Sequence, residues 1–160
     1  MILWFVGVGC VAVVLVFKSP ALDYRLVALG TVLPLVDLVP GVPAVLHTLL
    51  GAVALLTVVM VATRGRRLAR RRWLGLPIGV FVHQIIGGAW LDEELFWWPA
   101  FGTDLPDVAV PTAGSLGVAL VCEVLGAAAL WWAWRRFRLD DPARRDELVR
   151  HGRLDRALVP

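Results

Sequence analysis

Charge is scarce in this chain, and the scarcity is uneven. Only 18% of its 160 residues are Asp, Glu, Lys or Arg, against about a quarter in soluble domains. No Lys or Arg lies between residues 26 and 63, or between 73 and 134. That deficit excludes a soluble globular enzyme and a disordered protein. Cysteine is nearly absent too. Cys10 and Cys122 sit inside apolar runs without CxxC or metal-type spacing, which excludes a secreted disulfide scaffold. There is no phosphate-cradling glycine loop, no HExxH and no internal repeat. The first apolar run has no basic n-region before it and no A-x-A site after it, so it does not read as a cleaved signal peptide.

Apolar residues fill the space that charge leaves. They make up 59% of the chain, and the mean hydropathy is +0.74. At about 20 apolar residues per crossing, the length allows four or five spans and no separate soluble domain. The runs are 2–17, 26–39 (with Pro34 and Asp37), 44–63, 73–91 and 112–134. Pro40-Gly41-Val42-Pro43 makes a tight hairpin between the second and third. The expected fold is therefore all-α: a polytopic membrane bundle of five helices, or four if the first does not cross. The bundle covers 1–138, and a cytoplasmic basic tail covers 139–160.

Orientation follows from the basic blocks: Lys18 and Arg25, then Arg64 to Arg72, then Arg135 to Arg156. Cytoplasmic loops hold the excess of Lys and Arg. Five spans put all three blocks on one side, with the N-terminus outside and the C-terminus inside. Arginine-rich, Ala/Val/Leu/Gly-rich composition suits a bacterial plasma membrane. In the tail, Asp141-Pro142 is a helix start signal and Gly152 a stop. Five acids among the eight arginines from Arg135 onward, and no aromatic residue beyond Phe137, make it a solvated topological anchor and not a nucleic-acid binder.

Ionisable residues inside a membrane segment are functional candidates. Here they are Asp37, His47, His83 and Glu123. Asp37, His47 and His83 fall on three helices at depths of roughly 5, 7 and 12 Å from the outer side. Asp92, Glu93 and Glu94 lie just above them. Two imidazoles with carboxylates suit Zn²⁺ or Mn²⁺, and such a metal activates water for hydrolysis. The structural alternative is that His47 and His83, each followed one turn later by a glycine (Gly51 and Gly87), lie on an antiparallel pair in which each His packs in the niche of the other's glycine. Glu123, near the midplane without a cation, reads as a protonated carboxyl bonded to another helix, for instance to His83. Trp97-Trp98-Pro99 is expected to lie on the bundle and roof the polar cluster.

Residues 21–101 carry a further pattern. The segment Gly30-Thr31-Val32-Leu33-Pro34-Leu35-Val36-Asp37 resembles a G-x-x-x-P-D-x-D motif. His47-Thr48 resembles T-H-S, His83 resembles the start of S-H-x-x-x-D, and Phe96-Trp97-Trp98-Pro99 resembles the W-P segment that follows. These are motifs of the membrane-bound metal-dependent hydrolases, the YdjM-like, LexA-regulated family of small inner-membrane proteins. The chain departs from that pattern twice. Leu35 stands at the first Asp of P-D-x-D, and Gly87 stands at the Asp one turn after the second His.

The leading expectation is a membrane-embedded, metal-dependent hydrolase-like protein with a site in the outer third of the bilayer. Asp37, His47, His83 and Asp92 would be metal ligands, and Glu93 or Glu94 would be a further ligand or the general base. The alternative is a non-catalytic scaffold or accessory subunit, packing against a membrane partner or a second copy through small-residue faces at Ala113/Gly117 and Gly126–Ala129. A small transporter using Glu123 is disfavoured by the absence of repeat symmetry.

Overall fold

The structure is a computed structural model that describes residues 1–105 and 116–159. Asp107, the start of the fifth run at Thr112, and Ala113 of the small-residue face lie outside them. The described residues are helical, with no strand. The α-helices are α1 (Ile2–Phe17), α2 (Tyr24–Val32), α3 (Leu49–Ala62), α4 (Arg67–Trp73), α5 (Gly75–Ile86), α6 (Glu93–Phe96), α7 (Leu116–Arg136) and α8 (Pro142–His151). Short 3₁₀ turns cover Leu33–Leu38, Val45–His47 and Ala89–Leu91.

Local chemistry sets these boundaries. Asp23 caps α2, its carboxylate accepting from Arg25 N–H at 3.2 Å. Pro34 begins the first 3₁₀ turn, because a proline inside an α-helix lacks an N–H and clashes with the preceding turn. Gly41 turns the hairpin with φ 84°, a left-handed conformation that costs glycine nothing. Thr48 caps α3, its hydroxyl accepting from Gly51 N–H at 2.9 Å. Asp141 and Pro142 start α8, and Gly152, with φ 70°, ends it.

The expected five-span bundle is not supported. Only Leu116–Arg136 is long and apolar enough to cross a membrane among the described residues. α1 has 16 residues, α3 has 14 and α5 has 12. At 1.5 Å per residue α1 is about 24 Å long, short of a hydrocarbon core of about 30 Å. The shortfall comes from the breaks. The second run leaves the α-helix at Val32, the third enters one only at Leu49, and the fourth leaves α5 at Ile86, five residues before its end.

The helices alternate in direction. Met1, Ile86 and Glu123 lie at one end: Trp4 donates its indole N–H to Ile86 O at 3.3 Å, and Leu3 N–H donates to Glu123 at 2.9 Å. At the other end the three basic blocks meet. Arg72 donates to Asp23 at 2.9 Å, and Arg25 donates to the carbonyls of Val149 and Arg150 at 2.7 and 3.0 Å. The tail is therefore docked on the bundle and does not stand free in solvent. Tyr24 N–H donates to Gly152 O at 2.8 Å, and Leu154 joins Val13, Val14, Leu22, Tyr24, Val27, Phe137 and Leu139 in one buried apolar cluster.

Glycines set the closest helix pairs. Gly30 of α2 packs against Leu76 O and Gly79 of α5, and Gly79 packs back on Val27 O. Gly126 of α7 meets the backbone of Leu3 and Trp4, and Gly7 of α1 meets Gly126. Part of the small-residue face expected to meet a partner is thus used inside the chain. Gly117 has open space around it. Replacing Gly79 by Val should destabilise the protein by about 1–3 kcal/mol, the usual cost of overpacking, while Gly117→Ala should be neutral. Thermal unfolding in detergent checks both.

Candidate functional site

The polar cluster forms where the second and third runs break. Ending α2 at Val32 and starting α3 at Leu49 strands main-chain groups that no helix can satisfy. Asp37 answers part of that need. Its Oδ2 accepts from Leu46 N–H at 2.8 Å and from His47 N–H at 3.1 Å, and lies 3.0 Å from His47 Nδ1. A carboxylate only accepts, so that imidazole nitrogen carries a proton. Asp37 and His47 are both buried.

His83 reaches the same place from α5. Its Nδ1 lies 2.7 Å from Thr31 O. A carbonyl cannot donate, so Nδ1 is again the protonated nitrogen. The rings of His47 and His83 have centroids 5.3 Å apart and planes at 86°. Asp37, His47 and His83 therefore converge, as their depths along the sequence implied. Neither Nε2 bonds another group among the described residues, which leaves two imidazole edges as donors for a ligand.

The remaining expected ligands do not join them. Asp92 caps α6, accepting from Leu95 N–H at 3.1 Å. Glu93 and Glu94 are exposed in the first turn of that helix. Glu123 bonds the N-terminal segment and not His83: its Oε1 is 3.0 Å from the Met1 amino group. The indole contacts are local as well. Trp98 donates to Thr103 O at 3.1 Å, and Trp97 is 48% exposed. The glycine niches hold other groups than the histidines. Gly51 admits the Val45 carbonyl, and Gly87 admits the Phe5 ring.

Phe5 decides what the cluster can hold. Its ring stacks on His83, with centroids 3.9 Å apart and planes at 19°. A Cβ placed on Gly87 would meet Phe5 Cε1 at 3.2 Å and His83 O at 2.8 Å. The space one turn after His83 is thus filled by an aromatic ring. Asp37 stands behind His47, where a carboxylate orients an imidazole instead of binding metal itself. Among the described residues no group of three or more His, Cys, Asp or Glu is arranged to hold a metal ion. A catalytic zinc needs three protein ligands, and the two imidazoles fall short of that set.

No known protein family, curated protein or solved structure matches the chain.

A search confined to ionisable groups overlooks two residues. Gln84 is 1% exposed. Its amide N–H₂ donates to Leu46 O at 2.9 Å and Thr48 O at 2.8 Å, while its Oε1 is buried without a partner among the described residues. The signal was a lone amide in an apolar run, next to His83. Asp23, 2% exposed, holds the basic end. Burial alone would raise its carboxyl pKa, but hydrogen bonds and charge from Arg25, with a hydrogen bond from Arg72, outweigh burial and lower it.

Two expectations follow. Asp37→Ala should cost about 2–4 kcal/mol, because it strands three buried donors, and Asp37→Asn, which keeps an acceptor, should cost less; unfolding in detergent measures the difference. For Asp23, a lowered folded-state pKa means its stabilising contribution is present above the ordinary carboxylate range and is lost as pH falls through the lowered value. Protection of the Tyr24 amide, bonded to Gly152, relative to its intrinsic exchange rate should therefore be high at neutral pH and fall in acid. The same amide should exchange fast at neutral pH in Asp23→Ala.

Proposed function

We propose that this chain is a membrane-embedded helical protein with a non-catalytic role, a scaffold or accessory subunit for another membrane protein or a second copy. The observation that carries this reading is the engagement of the polar cluster with the chain's own main chain. Asp37 takes two backbone N–H groups, His83 one carbonyl and Gln84 two carbonyls. Phe5 occupies the position from which a third metal ligand would come. Each polar side chain thereby fastens a break in the helices.

The membrane reading rests on α7. Only 6% of its most apolar stretch is buried inside the chain, and Val118, Leu120, Val121, Val124 and Trp131 are all more than half exposed. An apolar surface of this size in water marks a membrane or partner contact. The basic blocks gathered at one end fit a cytoplasmic side, with the N-terminus outside, in a bacterial plasma membrane.

The second reading is the metal-dependent hydrolase suggested by the family resemblance. The convergence of Asp37, His47 and His83 favours it. Metal analysis of the detergent-purified protein separates the two. The scaffold reading expects substoichiometric zinc and manganese, unchanged in His47→Ala. It also expects that Phe5→Ala combined with Gly87→Asp, which opens the site and supplies a carboxylate one turn from His83, gains zinc. Stoichiometric zinc in the unaltered protein, lost in His47→Ala, would restore the hydrolase.

A further inference from the structure

The basic end carries more cations than its acids hold. Arg72 is paired with Asp23, Arg144 with Asp155 and Arg150 with Asp146. Lys18, Arg71, Arg153 and Arg156 have no acidic partner within 4.0 Å among the described residues. These four come from three separate segments: the end of α1, α4, and the tail beyond Gly152.

They nevertheless face adjoining clefts. Lys18, Arg71 and Arg156 line a cleft of about 350 Å³ together with Ser19 and no carboxylate. Arg71 and Arg153 line the next, also about 350 Å³, where the one carboxylate, Asp23, is already held by Arg25 and Arg72. Arg71 is common to both. Each volume lies in the range of about 300–1,000 Å³ typical of small-ligand sites.

The frame around these cations is fixed. The Tyr24 hydroxyl donates to Ser19 O at 2.9 Å, holding the loop after α1. Tyr24 N–H holds Gly152, and the buried Leu154 anchors the chain between Arg153 and Arg156. Lys18, Arg71 and Arg156 repel one another in a cleft without a carboxylate, while Arg71 and Arg153 also face a larger cleft of about 660 Å³ whose acids Asp141, Asp155 and Glu147 already face Arg144 and His151. A bound anion relieves that repulsion. Guanidinium groups match phosphate oxygens in paired, charge-assisted hydrogen bonds. A phosphate offers two unesterified acceptor oxygens as a diester and three as a monoester to cations arriving from separate arms.

We propose that Lys18, Arg71, Arg153 and Arg156 form a binding site for a phosphate group, presented by an anionic phospholipid headgroup or by a soluble phosphate compound. The site does not depend on how the Asp37 cluster is used.

The test is a thermal-shift titration of the full chain in neutral detergent with three probes: dioctanoyl phosphatidylglycerol, dioctanoyl phosphatidylcholine and inorganic pyrophosphate. Stabilisation by phosphatidylglycerol but not by pyrophosphate or phosphatidylcholine assigns the site to an anionic lipid. Stabilisation by pyrophosphate assigns it to soluble phosphates. In either case Arg71→Gln should weaken the response roughly tenfold, the loss of one charge-assisted contact. Arg156→Gln should act in the same direction, and Arg64→Gln, outside both clefts, should leave it unchanged. Arg71 makes no ion pair whose loss would unfold the protein, and Arg156→Gln serves should that variant not fold. The proposal is overturned if none of the probes stabilises the protein, if phosphatidylcholine does so as well as phosphatidylglycerol, or if the Arg71 and Arg156 variants respond like the unaltered chain.

Discussion

A helix broken inside an apolar bundle must find partners for the main-chain groups it strands, and this constraint organises the molecule. Buried N–H and C=O groups without partners are costly. The Pro34 and Pro40–Pro43 breaks create such groups around residues 31–48. Asp37 of the first 3₁₀ turn and His83 and Gln84 of α5 supply the missing bonds from two segments. The register of α5 against α2 then follows. Gly30 and Gly79 let the two backbones approach until His83 reaches Thr31 O and Gln84 reaches the turn before α3.

The same logic runs at the basic end with charge in place of amide groups. One buried carboxylate, Asp23, gathers Arg25 and Arg72, and Arg25 in turn binds two tail carbonyls. Gly152 belongs to this arrangement twice over. Its left-handed φ turns the chain out of α8, and a Cβ there would strike the Asp23 carboxylate. The tail is thereby locked to α2. The cations left outside this network are held by it in a fixed frame.

Phe5 joins α1 to the imidazole cluster. Its ring stacks on His83 and fills the side of α5 that Gly87 leaves bare. The imidazoles remain adjacent, as in a site built for a shared ligand. Yet the space beside them is aromatic, and the nearest carboxylate faces the back of His47. The cluster thus keeps the geometry of a polar centre while its groups serve the main chain.

Much of this was legible in the sequence. Composition and periodicity required helices, the Asp141-Pro142 and Gly152 signals bounded α8, and the depths of Asp37, His47 and His83 implied their meeting. Those features depend on local propensity and on spacing along a helix, which sequence carries directly. Span lengths were not legible, because a 3₁₀ turn and an α-helix share the same apolar composition and differ only in which carbonyl each N–H finds. The partners of Asp23, Gln84, Phe5 and Glu123 were not legible either. Each is a contact between residues more than 35 positions apart: Asp23 with Arg72, Gln84 with Leu46, Phe5 with His83, and Glu123 with Met1. The sequence by itself determined that Asp37, His47 and His83 enter the apolar bundle close to one another. Only the tertiary structure decided which partner each takes, because that choice depends on how closely the glycine faces let the helices approach.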